Sequence, residues 1–513
     1  MDRILHGSFF YRLYSRVVDG IAESAKSSAL WRFITFIVVN FRLWLTYSAI
    51  VGFFSKMADK FGAQIRGSVL INRFLVMKSS EPYSDSSIFT KAFYWALGVL
   101  RALTHALKLD KLLDGSIFAK PWIWCAMTAA MAPILPTKII IILVAVSYGS
   151  LLINMLIDRK RQLVFLPINK YVMIYALAYI LATVASVSRS DSLSVGVATV
   201  FFTLFFVILV NSILTEKQLR GMVVAVVWAG LAVAAYGIVQ FIFPDNFLGG
   251  WVDENMFNYR IRVYSTLQNP NVLGEYFLLV VPFAFACLLT AKSRAGRVFY
   301  MVTFLTMMLC LVLTYSRGAY VGIVFAAAVF LILLDRRFIF PGILLAVVVF
   351  FALPETFINR ILSIGDTSDT STSYRVFIWL GTIAMLKDYW FCGVGPGQGA
   401  FMKVYPVYAY SAISAPHSHN LFLQITCDTG VMGLLMFIAV IYQYFKNMFN
   451  SLRCSTNKEN KIFIIAGISA ALGFLMQSLT DYSFYNYRVM LMFWAVLAIG
   501  LLFARFSGVE ETD

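Results

Sequence analysis

Apolar runs of membrane-spanning length follow one another almost without pause from residue 119 to residue 505, and no other feature restricts the fold as strongly. About 20 apolar residues cross a bilayer as one helix, because hydrocarbon offers backbone polar groups no partners except each other. About twelve such runs are legible: 119–136, 138–157, 170–188, 194–214, 220–243, 272–291, 297–316, 318–335, 338–354, 420–445, 462–480 and 487–505. The expected fold is therefore all-α, a polytopic helical membrane protein. Composition agrees, since 60% of the 513 residues are hydrophobic and 13% are charged.

Short basic connections set the orientation. "DRKRQ" (158–162), "EKQLR" (216–220), "KSRAGR" (292–297), "DRR" (335–337) and the segment from Lys446 to Lys461 fall on alternate connections, which predicts a cytoplasmic face for them. The connections at 244–271 and 355–419 then face outward. Net charge is +16, and much of the excess sits in the inward loops and the N-terminal region. Topology and anionic headgroups account for it, so nucleic acid is not an expected partner. Six cysteines without a CxxC spacing indicate neither a disulfide framework nor a zinc site.

Residues 1–118 form a separate basic region before the transmembrane core of 119–505, and 506–513 form a short cytoplasmic tail. The run 29–54 is long enough to span, but Arg42 near its centre would cost about 2.5–3.5 kcal/mol. A cytoplasmic or interfacial helical layer is the expectation for this region. No pattern of a cleaved signal peptide is visible. Neither a repeat of about 20–50 residues nor an inverted pair of broken helices appears, which weighs against a transporter.

The outer connection 355–419 is too long to be an unstructured link, so it is expected to be functional and partly folded. "SYRVFIWLGTIAMLKDYW" (373–390) reads as a helix lying in or dipping into the outer leaflet. The glycines of "CGVGPGQGAF" (392–401) permit a tight backbone and the close approach of a ligand. A nucleotide-binding reading of that run fails because no strand precedes it.

Within 298–334 the only polar interruption is "YSRG", so the chain must turn there and Arg317 is fixed at the outer surface. An interfacial snorkelling arginine is one reading, and a phosphate or pyrophosphate ligand is the other. Arg375 opens the loop helix, and Arg260 and Arg262 flank the other outer loop. Together the four make a candidate anion site with few acids nearby. His419, at the mouth of an apolar run, is either a satisfied interfacial residue or a general base for a hydroxyl proton. His417 and His419 lack the further ligands a metal site needs, so no metal and no cofactor are expected. Asp428 lies about 13 Å further along the helix, beyond direct reach of His419, and is either functional or a structural hydrogen-bond partner. Gly430 and Gly433 are expected to let helices approach closely.

These residues resemble the O-antigen ligases and O-antigen polymerases of bacterial envelopes. The ligase signature is His, then Asn, Ser or Gln, nine residues, Gly, two residues, and Gly, Thr or Tyr. His419, Asn420, Gly430 and Gly433 fit it at every position. "YSRGAYVG" (315–322), the "NPN" ending at Asn271, and "GVGPG" before the histidine are similar as well. One departure is Val321, where the family usually has Leu. The likeness covers about 250–440 and leaves out 1–118.

The resemblance implies an inverting, metal-independent glycosyltransferase of the integral-membrane C class, in the cytoplasmic membrane with its site on the outward face. Its donor would be a glycan on undecaprenyl pyrophosphate, and its acceptor a hydroxyl of a glycan or glycolipid. His419 would be the base, Arg317 and Arg375 would hold the pyrophosphate, and Asp428 and the glycines would belong to the helix that fixes the histidine. Ligase and polymerase share these motifs. A lipid-linked sugar flippase or transporter, and a nonenzymatic envelope scaffold, are the competing classes.

Overall fold

The computed structural model describes residues 88–247, 262–352, 354–362 and 370–507, all within one compact unit, residues 79–513. Arg260, the run 29–54 and the last six residues lie outside the described residues. In chain order the helices are α1 (Ile88–Ala106), α2 (Leu109–Leu113), α3 (Pro121–Met131), α4 (Thr137–Ile157), α5 (Pro167–Ala185), α6 (Arg189–Ser212) and α7 (Glu216–Ile242). There follow α8 (Pro270–Thr290), α9 (Arg294–Val312), α10 (Arg317–Leu334), α11 (Ile339–Ala352), α12 (Glu355–Leu362), α13 (Thr370–Tyr389) and α14 (Gln398–Val404). The last three are α15 (Leu421–Cys454), α16 (Lys458–Ser478) and α17 (Tyr487–Phe506). No strand occurs among the described residues, so the fold is all-α.

Ten of these helices are long and apolar enough to cross a membrane, where about twelve runs were expected. The two exceptions have local causes. The run 119–136 forms only the 11 residues of α3, because Pro133 and Pro136 cannot continue a helix. The run 338–354 is helical over the 14 residues of α11, with Pro354 beyond it.

Local sequence starts most of the spans. Proline occupies the first turn of α3, α5 and α8, where its missing N–H costs nothing. Asn269, Ser293, Ser316, Asn420, Asn457 and Asn486 each cap a following helix through the side chain. Thr215 and Gln218 form a reciprocal capping box at the start of α7. Helices apolar on every side must be surrounded by protein or by lipid. In this bundle α8, α16 and α17 are almost wholly enclosed, while α9 and α10 turn most of their surface outward.

The basic connections gather at one end. Arg220 bridges Glu216 at 2.7 Å and Glu459 at 3.0 Å, Lys292 lies 3.6 Å from Glu459, and Arg220 donates to Asn460. Such partly exposed pairs add little stability. What they establish is that the starts of α7 and α16 and the α8–α9 connection lie together, as alternation of the basic loops required.

α15 has 34 residues, roughly 51 Å of helix, well beyond a bilayer core of about 30 Å. It is broken at Gly430, whose φ of 69° and ψ of −173° fall in a region open essentially to glycine alone. The segment after α13 threads into this break: Val431 N donates to the Trp390 carbonyl at 2.8 Å, and Val394 N to the Cys427 carbonyl at 2.6 Å. A Cβ on Gly430 would stand 1.9 Å from the Phe391 oxygen.

Candidate functional site

At the end of the bundle away from the basic connections, four pieces of chain converge: the α9–α10 turn, the segment before α8, the approach to α15, and the α16–α17 connection. The turn is made by Tyr315, at a φ of 51°, and by Ser316, which caps α10. Two arginines hold successive carbonyls of it. Arg262 Nε donates to Thr314 O at 3.1 Å, and Arg360 Nε to Tyr315 O at 3.2 Å. Arg360 comes from α12, whose Phe357 stacks on the Tyr315 ring at 4.6 Å. Gly318 brings the start of α10 against Gln477 and Thr480, so Arg317 stands beside the α16–α17 connection.

That connection contains the residue around which the site is arranged. Asp481 is buried, and its Oδ1 lies 3.5 Å from His419 Nδ1, an ion-pair separation that is long for a hydrogen bond. Its Oδ2 accepts from Asn271 Nδ2 at 3.2 Å, and the Asn271 oxygen accepts in turn from Arg262 at 3.1 Å. Gln477 adds a bond to the Asn271 carbonyl. Burial alone would raise the Asp481 carboxyl. The His419 contact and the charges of Arg375, His419 and His417 outweigh it and hold the group at about 2, below its ordinary 3.8. Asp481 is therefore an anion at neutral pH.

His419 precedes the cap of α15 and adopts a φ of 49°, uncommon for a residue with a side chain. Several contacts hold it there. Trp379 Nε1 donates to the His419 carbonyl at 3.4 Å, and the Tyr374 ring meets the imidazole edge-on at 6.2 Å. Tyr374 and Trp379 flank Arg375 on α13, so this helix brings its arginine into the electrostatic reach of Asp481. Asn420 accepts from Leu423 N at 3.0 Å and donates to the Leu479 carbonyl at 2.7 Å, tying the histidine's helix to the Asp481 connection. The His419 side chain keeps 23% of its surface open.

His417 stacks on Tyr485 at 5.3 Å and accepts from the His419 backbone N–H at 3.3 Å. Burial, and then the nearby positive charges of His419 and Arg375, lower it from 6.5 to about 4 against the pull of Asp481. Its part is to shape the backbone under His419.

Asp428 does not reach His419 directly. It accepts from Gln424 Nε2 at 2.9 Å, from the Tyr179 hydroxyl at 3.3 Å and from the Tyr482 hydroxyl at 3.5 Å. Gln424 Oε1 in turn accepts from Ser418 N at 2.8 Å. One buried carboxyl thus joins α5, α15, the Asp481 connection and the residue before His419, so the structural reading of Asp428 is the one its contacts support.

The glycines near the site have local packing reasons. The nearest neighbours of Gly433 are the atoms of Thr429 on its own helix, with Oγ1 1.9 Å from where a Cβ would stand. It makes room for that side chain. Gly393, Gly395 and Gly397 all have positive φ, and added Cβ atoms there would strike Cys427, Ser186 and Val195. The close approach they permit is to α15, the end of α5 and the start of α6, so a ligand need not be invoked for them.

Sequence reasoning missed Asp481 and Arg360. An acid in a short aromatic connection at the arginine-bearing end was the available signal for Asp481. Nothing local distinguishes Arg360. Glu275, one turn beyond Asn271 on α8, is also buried, and neither of its carboxyl oxygens makes a hydrogen bond. Among the described residues no group of three or more His, Cys, Asp or Glu side chains is placed to hold a metal ion.

Residues 302–438 match the family model described as O-Antigen ligase. This stretch is similar to an O-antigen ligase domain. It contains Arg317, Arg360, Arg375, His419 and the Gly430 break, whereas Arg262, Asn271 and Asp481 come from outside it. The matched stretch therefore supplies the histidine, and flanking chain supplies the acid that faces it. A Rickettsia conorii protein named "Putative polysaccharide ligase" is 24% identical over 123 residues, which are 23% of this chain and 28% of that protein. The match spans less than a third of the relative's own length.

Proposed function

We propose that this membrane protein transfers a glycan from a lipid pyrophosphate, of the undecaprenyl type, to an acceptor hydroxyl, with inversion at the anomeric carbon. The observation that carries the reading is Asp481 behind His419 Nδ1, at the arginine-bearing end of the bundle. An imidazole oriented by a carboxylate through one nitrogen presents the other as a base. In the proposed step His419 takes the acceptor hydroxyl proton, the acceptor oxygen attacks the anomeric carbon, and the bond to the pyrophosphate breaks. The departing pyrophosphate keeps the bonding electrons, and Arg317 and Arg375 offset its charge, the kind of stabilisation that usually dominates such reactions.

Arg262 and Arg360 have another task in this scheme. Their bonds to the Thr314 and Tyr315 carbonyls and to Asn271 fix the turn that presents Arg317 and the amide that orients Asp481. Gathering of these groups at one end suits a donor presented at a membrane surface, whereas a flippase would need charges along a path at mid-membrane. The basic opposite end is the cytoplasmic one on this reading.

The test is a surface-polysaccharide size profile from cells lacking the protein, complemented with wild type or with His419→Ala. Deletion should leave either glycan stranded on the carrier lipid, the ligase outcome, or single repeat units without long chains, the polymerase outcome. His419→Ala should insert normally and fail to restore the profile. Restoration by that variant would refute the base assignment, and an unchanged profile on deletion would refute glycan transfer.

A further inference from the structure

Residues 88–119 are wrapped around the basic end of α4. Arg101 donates to the Met155 carbonyl at 2.7 and 3.1 Å and to the Asp158 carbonyl at 3.3 Å, satisfying groups that the end of α4 leaves open. Ser150 Oγ donates to Phe118 O at 2.6 Å, and Asn154 Nδ2 to Ala119 O at 2.7 Å. Leu97 packs with Leu151 and Met155. These anchors span Ser150 to Asp158, about 12 Å along the helix. They fix the segment against the last turns of a helix long and apolar enough to cross a membrane.

The other side of this segment is apolar and uncovered. Trp95, Val99, Leu103 and Leu107 recur every fourth residue and are 73%, 52%, 54% and 60% exposed, and Leu112 is 74% exposed. A stripe of this kind faces an apolar medium or a partner. Lys91, Lys108, Lys111 and Lys120 are exposed around it and outnumber the acids Asp110 and Asp114, leaving a net basic border that matches anionic headgroups. The helix to which the segment is anchored, α4, is itself membrane-crossing in length and composition, with Leu152 exposed within the anchored stretch.

We propose that α1, α2 and the turn after them form a lipid-docking platform, lying in the headgroup boundary of the leaflet at the basic end of the bundle and bound there to acyl chains and anionic headgroups. This is independent of the glycan-transfer reading. The platform anchors the end of α4 to the bilayer surface opposite His419.

The test uses the full chain in nanodiscs of phosphatidylglycerol and phosphatidylethanolamine, with the two exposed cysteines removed as Cys392→Ser and Cys454→Ser. A bimane label is placed at Leu103→Cys and, in a separate protein, at Leu112→Cys. Each label should lose about half its emission when the acyl chains carry bromine, and should resist aqueous acrylamide. Strong acrylamide quenching at both sites would place the stripe in water and overturn the proposal. Resistance to both quenchers would also overturn it, because residues 1–87 or a second copy would then be the cover.

Discussion

Asp481 Oδ1 stands 3.5 Å from His419 Nδ1, while its other oxygen is held by the Asn271 amide. One carboxylate thus faces the histidine and answers to the turn that carries Arg317, because Arg262 binds both Asn271 and the Thr314 carbonyl. If His419 is the base, Asp481 orients it and offsets the charge it acquires. Asp481→Asn should lower transfer about 10²–10⁴-fold while the protein stays folded and inserted. Single-turnover transfer at matched protein levels checks this, and activity near wild type would remove Asp481 from the mechanism.

The spans and the Arg317 turn were legible because hydrocarbon imposes a length and a composition that the sequence must meet. Helix count was overread at α3 for a local reason: hydropathy sees Met131 to Leu135 as apolar, whereas Pro133 and Pro136 decide where the helix stops. That His419, Arg317 and Arg375 stand at the end away from the basic connections was legible through motif and position. Asp481 and Arg360 were not, because each acts on a residue from a different connection and its meaning appears only when the bundle closes. The glycines illustrate the converse. Their need for positive φ was readable, but whether ligand, neighbouring helix or their own helix filled the space was a matter of packing.

Gly430 is the position least able to change. A side chain there meets a backbone region reserved for glycine, and the Phe391 carbonyl occupies the space for a Cβ. Gly430→Ala should cost at least about 1–3 kcal/mol from the backbone conformation alone. Thermal denaturation in detergent should show a lower midpoint and lost transfer together. A midpoint unchanged from wild type would mean that the break in α15 is not needed.

Asp428 is predicted to act through structure. Asp428→Asn puts an N–H₂ group where Gln424 Nε2 now donates, or turns its oxygen away from Tyr179 and Tyr482, so at least one buried bond is lost either way. The expected cost is about 1–3 kcal/mol. Transfer should fall less than in Asp481→Asn and without a new pH dependence. Unaltered stability with abolished transfer would instead make Asp428 a participant in the chemistry.

His417 supplies a test in which stability and activity separate. Its folded-state value of about 4 lies below the ordinary 6.5, so the unfolded chain binds a proton that the folded chain refuses. Its contribution to stability is complete above about pH 6.5 and is lost as pH falls towards 4. Asp481, an anion in the folded chain down to about pH 2, adds its own slope only below about pH 5, where the unfolded carboxyl begins to bind a proton. His417→Gln should therefore flatten the decline in thermal midpoint between pH 6.5 and 4. The pH–rate profile above pH 6.5 should keep its shape, because His417 is neutral there and does not titrate. A profile that moves with His417→Gln would show that His417 holds or passes the proton itself, and the division of labour between the two histidines would have to be reversed.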